Sequence, residues 1–228
     1  MKRKMNFEKA FTLVELLIVI ALIAILSVAV LATINPIEQS NKAKDSTVQN
    51  DAAEVMNSYE RYYANAQEYP WMKYGATKAT VEDAILLRSD TLGFGVCDAG
   101  LVADEPDDQA GDCDPTSADP GLLIKTDELK SAFVGKSEFS SVATNPENGL
   151  WLYKQAGSGG SVYVCYVPKA KSNREATTNQ LYCLNSTGPT RTLADGTNCV
   201  VPDTTGTDWG DPDAAMTAGN IAIFKCVP

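Results

Sequence analysis

The sequence predicts an α+β protein, with one long N-terminal helix followed by a β-rich, disulfide-stabilised C-terminal head. Three observations carry this. Residues 11–34 are almost wholly apolar, an apolar stripe at helical spacing continues to Ala66, and strand-like runs with six cysteines lie beyond it.

The apolar run, F-T-L-V-E-L-L-I-V-I-A-L-I-A-I-L-S-V-A-V-L-A-T-I, holds 24 residues and one charge, Glu15. As a helix it spans roughly 36 Å, enough to cross a hydrocarbon core about 30 Å thick. An acid near the centre of such a helix costs about 2.5 to 3.5 kcal/mol on insertion scales, so Glu15 is a candidate functional group. Residues 1–10 carry Lys2, Arg3, Lys4 and Lys9 against Glu8, a basic flank that predicts a cytoplasmic N-terminus and an exported C-terminal domain. A secretory signal peptide fits poorly. The run is much longer than an ordinary signal's apolar region, it contains an acid, and the small residues from Ser27 to Ala29 are followed by more apolar ones.

From Ile37 the chain turns polar while helical spacing persists. Val48, Ala52, Val55 or Met56, Tyr59, Tyr62 or Tyr63 and Ala66 form the stripe of an amphipathic helix, with Lys42, Asp45, Gln49, Glu54 and Asn57 largely off it. Tyr69-Pro70 stops the helix, since proline cannot continue it. One helix from about residue 11 to 67 is therefore expected, bent near Ala32 to Pro36 by Pro36, which removes a backbone hydrogen bond.

In the head, Thr80-Val81-Glu82-Asp83 resembles a capping box and predicts a short helix near residues 81–91. Asp98 to Ile124 holds eight acids, Asp98, Asp104, Glu105, Asp107, Asp108, Asp112, Asp114 and Asp119, and no base, with prolines and glycines that predict a loop. Clustered carboxylates suit calcium, but the D-x-[DN]-x-[DN]-G frame is absent and a solvated acidic loop is the default. Thr126 is a candidate N-cap for a helical turn to Phe133. Leu150 to Lys154 and Ser161 to Val167 flank Q-A-G-S-G-G and predict a hairpin, while Gln180 to Leu184 and Ile221 to Val227 are further strand candidates. Asp208, Asp211 and Asp213, in a late turn-rich stretch, are a second set of candidate calcium ligands.

The totals narrow the chemistry. There is no histidine among 228 residues, which removes Ser-His-Asp and Cys-His nucleophile systems and His-ligated metals. The cysteines, Cys97, Cys113, Cys165, Cys183, Cys199 and Cys226, all lie past the apolar run and read as three disulfides in an oxidising compartment; no C-x-x-C pair supports zinc. Spacing does not choose among the pairings. The sequential one, Cys97 with Cys113, Cys165 with Cys183 and Cys199 with Cys226, encloses short loops. Lys and Arg number 19 against 29 Asp and Glu, a formal charge of −10, so direct nucleic-acid binding is not expected, though Lys169, Lys171 and Arg174 are a candidate local basic patch.

The junction K-A-F-T-L-V-E-L-L-I-V-I resembles the class III signal of type IV prepilins and type II secretion pseudopilins. The resemblance implies that a prepilin peptidase cuts between Ala10 and Phe11 and methylates Phe11, and that Glu15 is the family's glutamate five residues into the mature chain. Ala10 replaces the usual glycine before the cut, and Pro36 falls later than the family's helix-bending proline, near whose usual place Ala32 stands. The implied architecture is the pilin fold: residues 1–10 a leader, 11–36 a membrane and filament-core helix that protrudes, 37–67 its amphipathic half packed on an antiparallel β-sheet, and 68–228 the exported head. The implied function is a structural subunit of a type IV pilus-like filament, without catalytic activity or cofactor. Its partners would be its own copies, other pilins, the peptidase and the assembly machinery. It would sit in the cytoplasmic membrane before assembly and on the bacterial surface afterwards. The alternatives are a pseudopilin of a type II secretion system and, from another class, a membrane-anchored extracellular binding or hydrolytic domain.

Overall fold

The structure, a computed structural model, describes residues 11–33, 35–73, 80, 82–97, 121–142, 144–175, 180–184, 191–193, 199–203 and 207–227. The chain forms two compact units, residues 1–40 and 41–228.

In the first unit, α1 runs Leu13–Thr33 and α2 begins at Pro36, extending to Ala66 in the second unit. The predicted single helix is thus two helices. The break has a local cause. Asn35 Oδ1 accepts the Glu38 amide at 3.3 Å and Asn35 O accepts the Gln39 amide at 3.2 Å, the bonds of an N-cap. Pro36 then occupies the first helical position, where its missing N–H costs nothing.

In the second unit, α2 lays its stripe against a four-stranded antiparallel sheet. Ala52, Val55, Met56, Tyr59 and Tyr62 are buried there, and Val48 is partly buried. The sheet order is β1 (Ile85–Arg88), β2 (Leu150–Lys154), β3 (Val162–Tyr166) and β6 (Lys225–Val227). The hairpin β2–β3 is the predicted one, with Leu150 opposite Tyr166 and Lys154 opposite Val162. Because successive strand residues face opposite sides, Leu150, Leu152, Val164 and Tyr166 join the α2 core, whereas Trp151, Tyr153, Cys165 and Val167 join a second core with Trp209, Met216 and Phe224. A layer holding β4 (Tyr182–Leu184), paired with β5 (Arg191–Leu193), and the helix α6 (Pro212–Ala218) covers that second face.

Four further expectations change. Residues 85–88 are strand, not helix; the Thr80–Asp83 box forms, with the Thr80 amide 2.6 Å from Asp83 Oδ2, but Ile85 to Arg88 pair with Lys154 to Trp151 and tertiary pairing overrides the start signal. Thr126 follows α3 (Leu122–Lys125) as its C-cap, donating Oγ1 to Leu122 O at 2.8 Å, and the turn to Phe133 is a separate 3-10 turn from Ser131. The stretch from Thr207 to Asp213 is not all loop, since α6 begins there. The fourth concerns the disulfides. Cys165 bonds Cys226, its direct cross-strand neighbour with Cα atoms 3.9 Å apart, and Cys183 bonds Cys199. Strand register chose the first pair, while the second closes a loop of 16 residues. Cys97 is disulfide-bonded; Cys113 and the acidic stretch to Pro120 lie outside the described residues.

Polar anchors join the layers. Asp45, assigned off the stripe, is only 3% exposed. Its carboxylate accepts the amides of Lys169 at 2.7 Å and Ala170 at 3.0 Å and the Asn173 side chain at 2.7 Å. It thereby ties α2 to the segment leading into α5 (Lys171–Arg174). Asp51 pairs at 2.5 Å with Lys136, the residue before α4 (Ser137–Ser140), and Arg61 pairs with Glu128 at 3.0 Å. Each replaces lost water with charge-assisted hydrogen bonds.

Candidate functional site

The apolar segment begins with its own chemistry. Thr12 precedes α1 and its carbonyl accepts the Leu16 amide. Its Oγ1 accepts the Glu15 amide at 3.2 Å, while Glu15 Oε2 accepts the Thr12 amide at 2.9 Å and the Thr12 hydroxyl at 2.8 Å. This is a reciprocal capping box. It satisfies helix-end donors that an apolar solvent would leave bare, and it gives the lone acid of the run two donors in place of water. The signature T-x-x-E at residues 12–15 was available from sequence, where Glu15 reads first as a costly charge.

Among the described residues, none covers α1. Phe11 is 84% exposed, and Leu13 to Leu31 form one span long and apolar enough to cross a membrane, with none of it buried. Within the span Leu13 to Leu31 the other polar side chain, Ser27, donates to Ile23 O at 2.8 Å and so hides its hydroxyl in the helix's own backbone. Phe11 and Glu15 therefore lie one turn apart at the start of an all-round apolar helix, and Ala10 lies outside the described residues.

The candidate metal residues have other partners. Asp211 caps α6, accepting the Ala214 amide at 3.0 Å, and Asp213 pairs with Arg88 at 2.9 Å. The Asp208 side chain lies outside those described. Among the described residues, no group of three or more His, Cys, Asp or Glu side chains is placed to hold a metal ion. The basic patch is also engaged: Lys169 donates to Asn148, and Arg174 donates to Pro168 O at 2.8 Å while lying over the Trp209 ring.

Residues 5–31 match the family described as the prokaryotic N-terminal methylation motif. The match spans the basic-to-apolar junction, Glu15 and most of α1. It indicates an N-terminal signal of the pilin-like or pseudopilin precursor type, which implies processing by a prepilin peptidase and passage from membrane to a pilus or secretion assembly. No curated protein and no solved structure matches the chain.

Proposed function

We propose that the chain is a structural subunit of a type IV pilus-like filament and not an enzyme. The observation that carries the reading is the methylation-motif match over residues 5–31. Cleavage between Ala10 and Phe11 removes four bases and one acid, a net +3 that takes the formal charge from −10 to −13. It also creates a methylated ammonium on Phe11. In a bundle of apolar helices that charge needs a counter-ion, and Glu15 supplies it, from an incoming subunit to the Phe11 amine of its neighbour. An unpaired charge there costs several kcal/mol, and pairing relieves it at one axial register only.

The capping box is compatible with that pairing. A carboxylate offers about four acceptor sites; Thr12 takes two, both on Oε2. Glu15 is thus partly satisfied in the lipid and completed in the filament. The disulfide-bonded head supports a surface pilus over a secretion pseudopilin.

The test is Glu15→Ala expressed in the source cell. The expected result is processed subunits that remain in the membrane without forming filaments. Normal filament yield would remove Glu15 from the assembly mechanism. Wild-type filaments sheared from the cell and sequenced by mass spectrometry should contain this chain; its absence from them would favour the secretion reading.

A further inference from the structure

Lys154, at the end of β2, is fully buried. Its Nζ lies 2.9 Å from Gln155 O, 3.0 Å from Gly157 O and 3.3 Å from Asp83 O. These are three main-chain carbonyls from two separate segments, the hairpin loop 155–160 and residues 82–83 before β1. Carbonyl oxygens only accept. Three of them are matched by the three N–H groups of an ammonium, and a neutral amine has one too few. Burial disfavours the charged form and holds the side chain below the usual lysine range, while the negative charges of Glu82 and Asp83 act in the other direction.

The loop is built around that ammonium. Gly157 has φ +99°, a left-handed conformation open to glycine, and its amide donates to Glu82 O at 2.9 Å while its carbonyl faces Lys154. A Cβ on Gly160 would lie 2.1 Å from Gln155 O, another of the carbonyls on the lysine. The Ser158 amide, at 3.0 Å from Glu82 Oε2, closes the clamp. The oxygens stand 2.9 to 3.3 Å from nitrogen, wider than the 2.3–2.6 Å of a calcium shell, so the site is sized for an ammonium.

We infer that residues 82–83 and 155–160 form a carbonyl-lined cation site whose resident ion is the Lys154 ammonium, and that this tethered cation locks the β2–β3 loop to the segment before β1. The ligand class follows from the side chain. Lys154→Ala removes Cγ, Cδ, Cε and Nζ, the atoms of n-propylammonium, and the vacated site should take that ion.

The experiment is amide hydrogen exchange on the full chain in detergent micelles, followed at Gln155, Gly157, Ser158 and Gly160. Charge-assisted hydrogen bonds of this kind predict that Lys154→Ala speeds exchange at these amides about tenfold or more. Propylammonium should restore at least half of the protection, and n-propanol, its neutral counterpart, should not. Unchanged exchange in the variant, or equal rescue by n-propanol, would overturn the inference. If the variant does not fold, the wild-type protein still decides: the Lys154 ammonium should give a slowly exchanging NH3 resonance in a 1H–15N spectrum at neutral pH. A rapidly exchanging Lys154 ammonium would count against a locked ion.

Discussion

Helix α1 and the second unit solve the problem of burial in opposite ways. In α1 the large apolar side chains from Leu13 to Leu31 are all exposed and the helix holds itself together by its own backbone bonds and one capping box. The second unit is over-determined, with a sheet buried on both faces, two described disulfides and the buried Asp45 carboxylate given three donors. The difference teaches where specificity resides. On the proposed reading, the apolar surface that α1 leaves exposed is covered in membrane or filament, and Glu15, the run's one acid, sets the register there.

The largest expected effect is on the disulfides. Cys165 and Cys226 are 61 residues apart and Cys183 and Cys199 are 16 apart. Loop-closure entropy predicts a loss of about 4 kcal/mol for the double alanine variant of the first pair and about 3 kcal/mol for the second. Denaturant unfolding of the head, followed by tryptophan fluorescence, checks both values. The reverse order, or any loss of α1 helicity, would break the contrast between the two regions.

Asp45→Ala comes next. It leaves two backbone amides and the Asn173 side chain without their acceptor, at an expected cost of about 3 kcal/mol. The same unfolding measurement should show it, with faster exchange at Lys169 and Ala170. A cost below about 1 kcal/mol would make Asp45 an ordinary surface-type acid despite its burial.

The smallest effect is in α1 itself. Thr12→Val removes the hydroxyl of the capping box, worth about 1 kcal/mol. It should accelerate exchange at the Glu15 amide while leaving the head's unfolding midpoint unchanged. An unchanged Glu15 amide would show that the box does not hold the helix start.

Much of this was legible because local pattern and tertiary structure agree. The α2 stripe and the β2–β3 hairpin follow from spacing and a glycine-rich loop; Pro36 marked the right place but as a bend, whereas Asn35 caps a new helix there. Where they disagree, long-range pairing decides. Ile85 to Arg88 sit beside a formed capping box and become strand because β2 is available to pair with them. Cys165 finds Cys226 because β3 and β6 are neighbours, which no spacing rule reveals. Asp45 and Lys154 look like solvated charges on a surface; their partners are amides and carbonyls from distant loops, invisible to side-chain periodicity. At the functional segment, composition identifies Glu15, and the structure adds Thr12 as the residue that makes its carboxylate tolerable.

On the proposed reading, cutting the peptide bond between Ala10 and Phe11 creates the charge that Glu15 answers. Mass spectrometry of the N-terminal peptide of the protein from its source cell tests it most directly. The expected result is a chain that starts at Phe11 with a methylated amine. A chain retaining Met1, or starting near Thr33, would contradict it.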